Sequence, residues 1–176
     1  MKINVTTENG YLPAKYSKFA EEKYQYKGNP CISFPIEFID VSDKVKSIAI
    51  TFLDHDSIPL CGFTWIHWLV CNIPANINCL PENISVDNSL NVVQGQNSFA
   101  SPYVGETDSN ITNRYAGPTP PDKEHEYTLK VYGLDKKLDL KQGYFMNDFY
   151  KAINGHVVES DELKIRSGRA SCRERV

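Results

Sequence analysis

Residues 47–75 read SIAITFLDHDSIPLCGFTWIHWLVCNIPA, and the rest of the chain is organised around them. Ile48, Ile50 and Phe52 alternate with Ala49, Thr51 and Leu53, and both sets are largely apolar. This strand is therefore expected to be covered on both faces. Asp54-His55-Asp56-Ser57-Ile58-Pro59 interrupts it with residues that favour a turn. A second strand, from Phe63 to Cys71, is rich in aromatic and β-branched residues. Simple alternation puts Phe63, Trp65, His67, Leu69 and Cys71 on one face, and Thr64, Ile66, Trp68 and Val70 on the other. If the strands pair, Asp54 and Asp56 come close to His67. Two carboxylates, an imidazole and two indoles then form a small polar pocket with aromatic walls.

Working outward, a short strand is expected near Lys2–Thr6, a second around Ile32–Phe38 with Pro35 in it, and a third over Glu126–Leu134. In that third strand Tyr127, Leu129 and Val131 face one way and Thr128, Lys130 and Tyr132 the other. Between them lie long polar stretches and the stiff segment Tyr115-Ala-Gly-Pro-Thr-Pro-Pro-Asp122, in which three φ angles are fixed by proline. Phe145, Phe149 and Ile153 recur at helical spacing. They predict a helix from about Lys141 to Ile153, stopped by Asn154-Gly155. Strands separated by turns, with one late helix, favour an all-β-dominated antiparallel β-sandwich with short peripheral helices.

The 176 residues suit one domain, assigned to 1–165. From Arg166 onward the composition changes abruptly, with four arginines and no apolar period. Residues 166–176 read as a disordered tail foreign to the domain. The net charge is −3 with the basic tail included, so the body is acidic and offers no footprint for nucleic acid. No apolar stretch follows Met1-Lys2 and none approaches the ~20 residues of a membrane span. A cytoplasmic protein without a transmembrane segment is expected. The five cysteines form no CxxC and no zinc spacing, so free thiols and no metal site are expected. No nucleotide-binding glycine motif occurs, and no cofactor is called for.

Taken singly, the polar residues are ambiguous. Asp54 and Asp56 suit an acid–base pair, metal ligands or turn caps, and His67 suits a core histidine as well as a functional one. Asp54, His55, Asp56, His67 and His125 together would make a conceivable di-metal set. There is no G-x-S-x-G to support a serine triad.

Their order is more specific. Gly28-Asn29-Pro-Cys-Ile-Ser33-Phe-Pro35 precedes Asp54-His-Asp56-Ser-Ile-Pro59. Trp65-Ile-His67-Trp68, Gln96-Asn97-Ser98-Phe99, Tyr115-Ala-Gly117-Pro118-Thr-Pro120-Pro121 and His125-Glu-Tyr127 then follow. From about Gly10 to Leu163 this series resembles the phosphatidylethanolamine-binding protein family, and most of all its bacterial and archaeal, Raf kinase inhibitor-like branch. The resemblance implies packed antiparallel sheets with a pocket at one end that binds an anion such as phosphate, acetate or a phosphoethanolamine head group. Matched motif by motif, it assigns ligand binding to Asp54, Asp56, Trp65, His67, Gly117, Pro118, Pro121, His125 and Tyr127. His55 stands where the family usually has proline, Ile66 where eukaryotic members have a further histidine, and Glu126 where arginine is usual. The last change removes a positive charge near the pocket.

Ligand oxygens would take hydrogen bonds from His67, His125 and the Tyr127 hydroxyl, and protonated imidazoles would bind an anion best. Affinity should then fall as pH rises through roughly 6 to 7.5. The expectation is a binding module and not an enzyme. Its partners are a small anion or phosphoethanolamine-type ligand and, as a second class, a kinase or protease that it regulates. A homodimer lies within this reading. The alternative is a hydrolase or isomerase using Asp54 or Asp56 with His67.

Overall fold

The computed structural model describes residues 1–168. The strands are β1 (Lys2–Asn4), β2 (Gln25–Tyr26), β3 (Asn29–Pro30), β4 (Ile36–Ile39), β5 (Ser47–Asp54), β6 (Trp65–Pro74), β7 (Cys79–Leu80), β8 (Val93–Gln94), β9 (His125–Leu134) and β10 (Val157–Ser167). Short helices α1 (Ile58–Cys61), α2 (Ile84–Asp87) and α3 (Ser109–Thr112) lie in the connections, and α4 (Met146–Ile153) precedes β10. The chain is thus mostly strands with few short helices. A five-stranded antiparallel sheet has the order β10-β9-β5-β6-β8, a three-stranded one β1-β4-β7, and β2 pairs with β3.

Strand β5 is central in the large sheet, and all eight of its residues are buried. Ile48, Ile50 and Phe52 join Ile3, Ile36, Phe38 and Leu80 of the small sheet in one core cluster. Ala49 faces a second cluster, closed by Phe149 and Ile153 of α4. Both-face burial explains why the strand carries apolar residues at odd and even positions alike.

Strand β6 departs from simple alternation twice. Opposite β5, Trp68 pairs with Phe52 and Ile66 with Leu53, so His67 is an extra residue between them. This β-bulge keeps His67 and Trp68, consecutive in sequence, on the same side of the sheet. His67 packs against Phe52 and Tyr127, while Trp68 lies in the same cluster as Phe52. The expected split of these two residues onto opposite faces is therefore corrected, and Ile66 joins Leu69 and Cys71 on the far side. The second irregularity lies between Val70 and Ile73, where Asn72 takes a φ of 59°. Its side chain donates to the Leu138 carbonyl (2.9 Å) and accepts from the Leu138 N–H (2.8 Å), fastening the loop after β9.

The late helix begins at Met146, later than its period suggests, and Phe145 is exposed at its N-cap. The preceding residues serve edge strand β8 instead. The Gln142 amide accepts from Gln94 N–H (2.9 Å) and donates to Val92 O (2.9 Å), Gly143 N–H donates to Gln94 O (2.8 Å), and Tyr144 O accepts from Gln96 N–H (2.8 Å). Gly143 turns with φ 84° to make this possible.

The composition break at Arg166 is not the edge of the structure. Arg166 and Ser167 belong to β10, pairing with Glu126 and His125, and Ser167 is buried. Arg166 N–H also donates to Gly10 O (3.0 Å), and its guanidinium lies 4.5 Å from the Tyr11 ring centre. Residues 169–176 of the proposed tail lie outside the described residues. Among those described, no helix is long and apolar enough to cross a membrane, and Cys31, Cys61, Cys71 and Cys79 carry free thiols.

Candidate functional site

Adjacent ends of β5, β6 and β9, with α1 and the proline-rich segment, enclose a cavity of about 310 Å³. Asp54, Trp65, His67, Gly117, Pro121, His125 and Tyr127 line it together with Ser57, Leu60, Cys61, Phe99, Thr119 and Pro120. Seven of the nine nominated residues thus meet in one place. The antiparallel register does this directly, because Asp54 is paired with Trp65 on one side and with Tyr127 on the other.

Asp54 ends β5 and is buried. One carboxylate oxygen accepts the Asp56 N–H (2.9 Å), capping the short helical turn that follows, and the other meets His125 Nδ1 at 2.7 Å. The second nitrogen of the same ring, Nε2, lies 2.7 Å from Asp122 Oδ1. A neutral imidazole has one N–H, so two carboxylates at this distance require the imidazolium. Burial alone would lower the His125 pKa, but the hydrogen bonds to Asp54 and Asp122 outweigh it and raise the value. His125 is therefore a cation with both donors occupied from within the chain, so the donor it was expected to offer a ligand is already engaged.

His67 is the opposite case. Its Nδ1 lies 2.7 Å from the Ala116 carbonyl, an acceptor only, so that nitrogen carries the proton. Burial pushes its pKa down to about 4, against the upward pull of the Ala116 carbonyl and Asp54. The ring is neutral near pH 7 and presents Nε2 as a hydrogen-bond acceptor, not as a charged donor.

Tyr127 lies between the two imidazoles, with ring centres 5.1 Å from His67 and 6.3 Å from His125. It is fully buried, and among the described residues its hydroxyl has no hydrogen-bond partner. Burial, with the negative charges of Asp54, Asp56 and Asp122, drives its pKa upward, so the phenol keeps its proton. A buried polar atom left unpaired costs about 1–3 kcal/mol.

The apolar wall is made by Trp65, stacked on Phe63 (6.1 Å, 17°) and met edge-on by Phe99 (5.4 Å, 90°). The other indole, Trp68, does not reach the cavity: it is wholly buried, with Nε1 donating to Gln94 Oε1 (2.8 Å). Across from Trp65 runs the proline segment. Gly117 is required there, because a Cβ would lie 2.4 Å from the Tyr16 carbonyl and 2.8 Å from Pro30 Cγ. Lys18 braces the segment, its N–H on Pro118 O (2.9 Å) and its ammonium on Pro120 O (2.6 Å).

Two nominated residues do not line the cavity. Pro118 is a buried member of the proline segment, and Asp56 is exposed, its carboxylate accepting the Glu126 N–H at 2.9 Å to hold the start of β9. Asp56 therefore braces β9, while the turn-capping role that the spacing allowed is taken by Asp54. His55 is exposed and faces Thr64 Oγ1 (2.9 Å), which separates it from the other members of the conceivable di-metal set. Among the described residues no three His, Cys, Asp or Glu side chains are disposed to hold a metal ion. Sequence reasoning missed Asp122, which carries no motif signal beyond standing three residues before His125. It also missed Phe99, whose Asn97-Ser98-Phe99 context was visible.

These geometries can be set beside known proteins. A family profile described as phosphatidylethanolamine-binding protein matches residues 2–167. YxkA of Bacillus subtilis is 49% identical over 164 residues, covering 93% of this chain and 98% of that protein. A UPF0098 protein of Pyrococcus horikoshii is 34% identical over 166 residues, covering 91% of this chain and 72% of its own length. Among solved structures, a phosphatidylethanolamine-binding protein homolog of Chlamydia trachomatis superposes with a TM-score of 0.73 at 28% identity, covering 96% of this chain and 97% of the other. YbcL of Escherichia coli, at 24% identity, has the same fold, with a TM-score of 0.73 over 96% of this chain and 98% of its own. With the profile spanning nearly all described residues and a relative this similar over its full length, the chain belongs to the phosphatidylethanolamine-binding protein family.

Proposed function

We propose that the protein is a binding module whose cavity takes the oxygen-acid group of a small ligand, a carboxylate or a phosphomonoester such as a phosphoethanolamine head group. The observation that carries this is the cavity lining, which brings His67 and the buried Tyr127, whose hydroxyl has no partner among the described residues, to a space large enough for a small molecule. Beside it the neutral His67 offers an acceptor. A group with one acceptor and one acidic hydroxyl satisfies both at once. An acetate or phosphate ion therefore binds together with one proton, carried on its own oxygen or on His67. The ammonium of a zwitterionic head group would find the exposed carboxylates Asp56 and Glu126, on residues close in sequence to the lining residues Asp54 and His125.

Recognition is favoured over turnover by the state of the hydroxyl nearest the acids. Ser57 Oγ lies 2.8 Å from the carbonyls of Asp54 and Phe63 and accepts the Trp65 N–H (3.0 Å), so it is committed to the turn.

Calorimetric titration with acetate between pH 5 and 8 tests the proposal. Affinity is expected to rise by up to about tenfold per pH unit as pH falls, since one proton enters with each anion. Tyr127→Phe is expected to weaken acetate at least about fivefold while raising the stability of the free protein by about 1 kcal/mol, because it deletes an unpaired buried group. Unchanged affinity in Tyr127→Phe would reject the site.

A further inference from the structure

We infer that Asp122 is an internal competitor of the ligand, a carboxylate of the chain that occupies the one cationic donor an incoming oxyanion would seek. This rests on the reading of the cavity as an oxygen-acid site. With His67 neutral, His125 is the only cation among the lining residues. Its Nδ1–H is held by Asp54, which cannot move: that residue is buried, ends a central strand and is also tied to Asp56 N–H. Its Nε2–H is held at 2.7 Å by Asp122, whose situation is different. Asp122 lies in the bend between Pro121, a cavity wall, and the first residue of β9, and about a third of its side chain is exposed. One carboxylate is thus a fixture and the other is replaceable.

Two terms then oppose an anionic ligand. To reach His125 it must displace Asp122 from a charge-assisted hydrogen bond, and once bound it lies close to that residue's negative charge. Asp54 behind the ring, with Asp56, Glu124 and Glu126 on the flanking residues, adds to the same repulsion. The protein therefore selects against simple anions that bind weakly. It favours ligands able to repay the displacement, by a second acidic oxygen on His125 or by an ammonium that keeps Asp122 paired.

The test is acetate titration at one pH and ionic strength for wild type, Asp122→Ala and Asp122→Asn, with Tyr127→Phe made in each background. Asp122→Ala frees the donor and removes the charge, so acetate should bind at least tenfold more tightly. Asp122→Asn removes the charge but keeps an oxygen for His125, so a smaller gain of about two- to fivefold is expected. The imidazole nitrogen resonances of His125 supply a readout independent of stability. Acetate should shift Nε2 in Asp122→Ala by direct contact. Melting curves identify any variant that does not fold, and the asparagine variant then carries the comparison. Equal or weaker acetate binding in Asp122→Ala, with wild-type binding still lost in Tyr127→Phe, overturns this inference and leaves the cavity reading intact. Acetate binding that is indifferent to Tyr127 in every background overturns the cavity reading itself, and this inference with it.

Discussion

His67 and His125 flank the same tyrosine, yet their surroundings push their protonation in opposite directions. Between pH 6.5 and about 4, the folded chain keeps His67 neutral while the unfolded chain would protonate it. Unfolding therefore takes up a proton in this window, and stability falls as pH drops through it, by on the order of 3 kcal/mol for a shift of this size. His125 has a raised value, so its contribution is full below the ordinary histidine range and fades as pH climbs through the raised one. Urea denaturation at half-unit steps from pH 4 to 7 should show an acid limb in the wild type that flattens in His67→Gln. Parallel slopes for the two proteins would mean that His67 is charged or solvated. A binding window set by the histidines at roughly pH 6 to 7.5 would need imidazoles that titrate there, whereas burial holds His67 neutral and two acids raise the His125 pKa.

At the level of elements, what was legible in the sequence is what depends on local period and on motif order. The two-sided burial of β5 followed from Ile48 to Leu53, and the Tyr127–Leu129–Val131 face of β9 followed from alternation. What was hidden is where tertiary pairing overrides the period. Nothing around His67 announces an extra residue, because a bulge is set by the partner strand, here Phe52 and Leu53 of β5. The first turn of the expected helix was lost because Gln142 and Gly143 are drawn onto the edge of β8. Strand β10 went unread because Val157 to Leu163 shows no apolar alternation and is exposed or half-buried throughout. The site itself was legible through motif order for seven residues. Asp122, with no motif, became visible only when the bend folded back on His125. Gln142→Ala tests the edge argument: losing the amide contacts to Val92 and Gln94 should cost about 1–2 kcal/mol in denaturant unfolding. Helix α4 should be left in place, because Phe149 and Ile153 still anchor it. A change below about 0.3 kcal/mol would show that the strap is not needed.

Across the whole molecule, β10 runs beside β9 from Val157 to Ser167 and ends at the cavity, where Ser167 pairs with His125. Gly168 lies against the pocket wall, since a Cβ there would come within 2.3 Å of Pro120 Cγ. Truncation after Gly168 should leave the melting temperature within about 1 °C of the full chain, because the removed segment has no apolar stripe. Truncation after Leu163 removes Ile165, a core residue, and the pairing beside Tyr127 and His125. It should abolish both cooperative melting and acetate binding, and retention of either would contradict the closing role given to β10. The same placement bears on how the molecule is made. The cavity's polar residues are synthesised by residue 127, yet the strand that braces them is completed only at residue 167. A nascent chain therefore carries an unfinished site with a bare β9 edge, open to mispairing until β10 has emerged and paired.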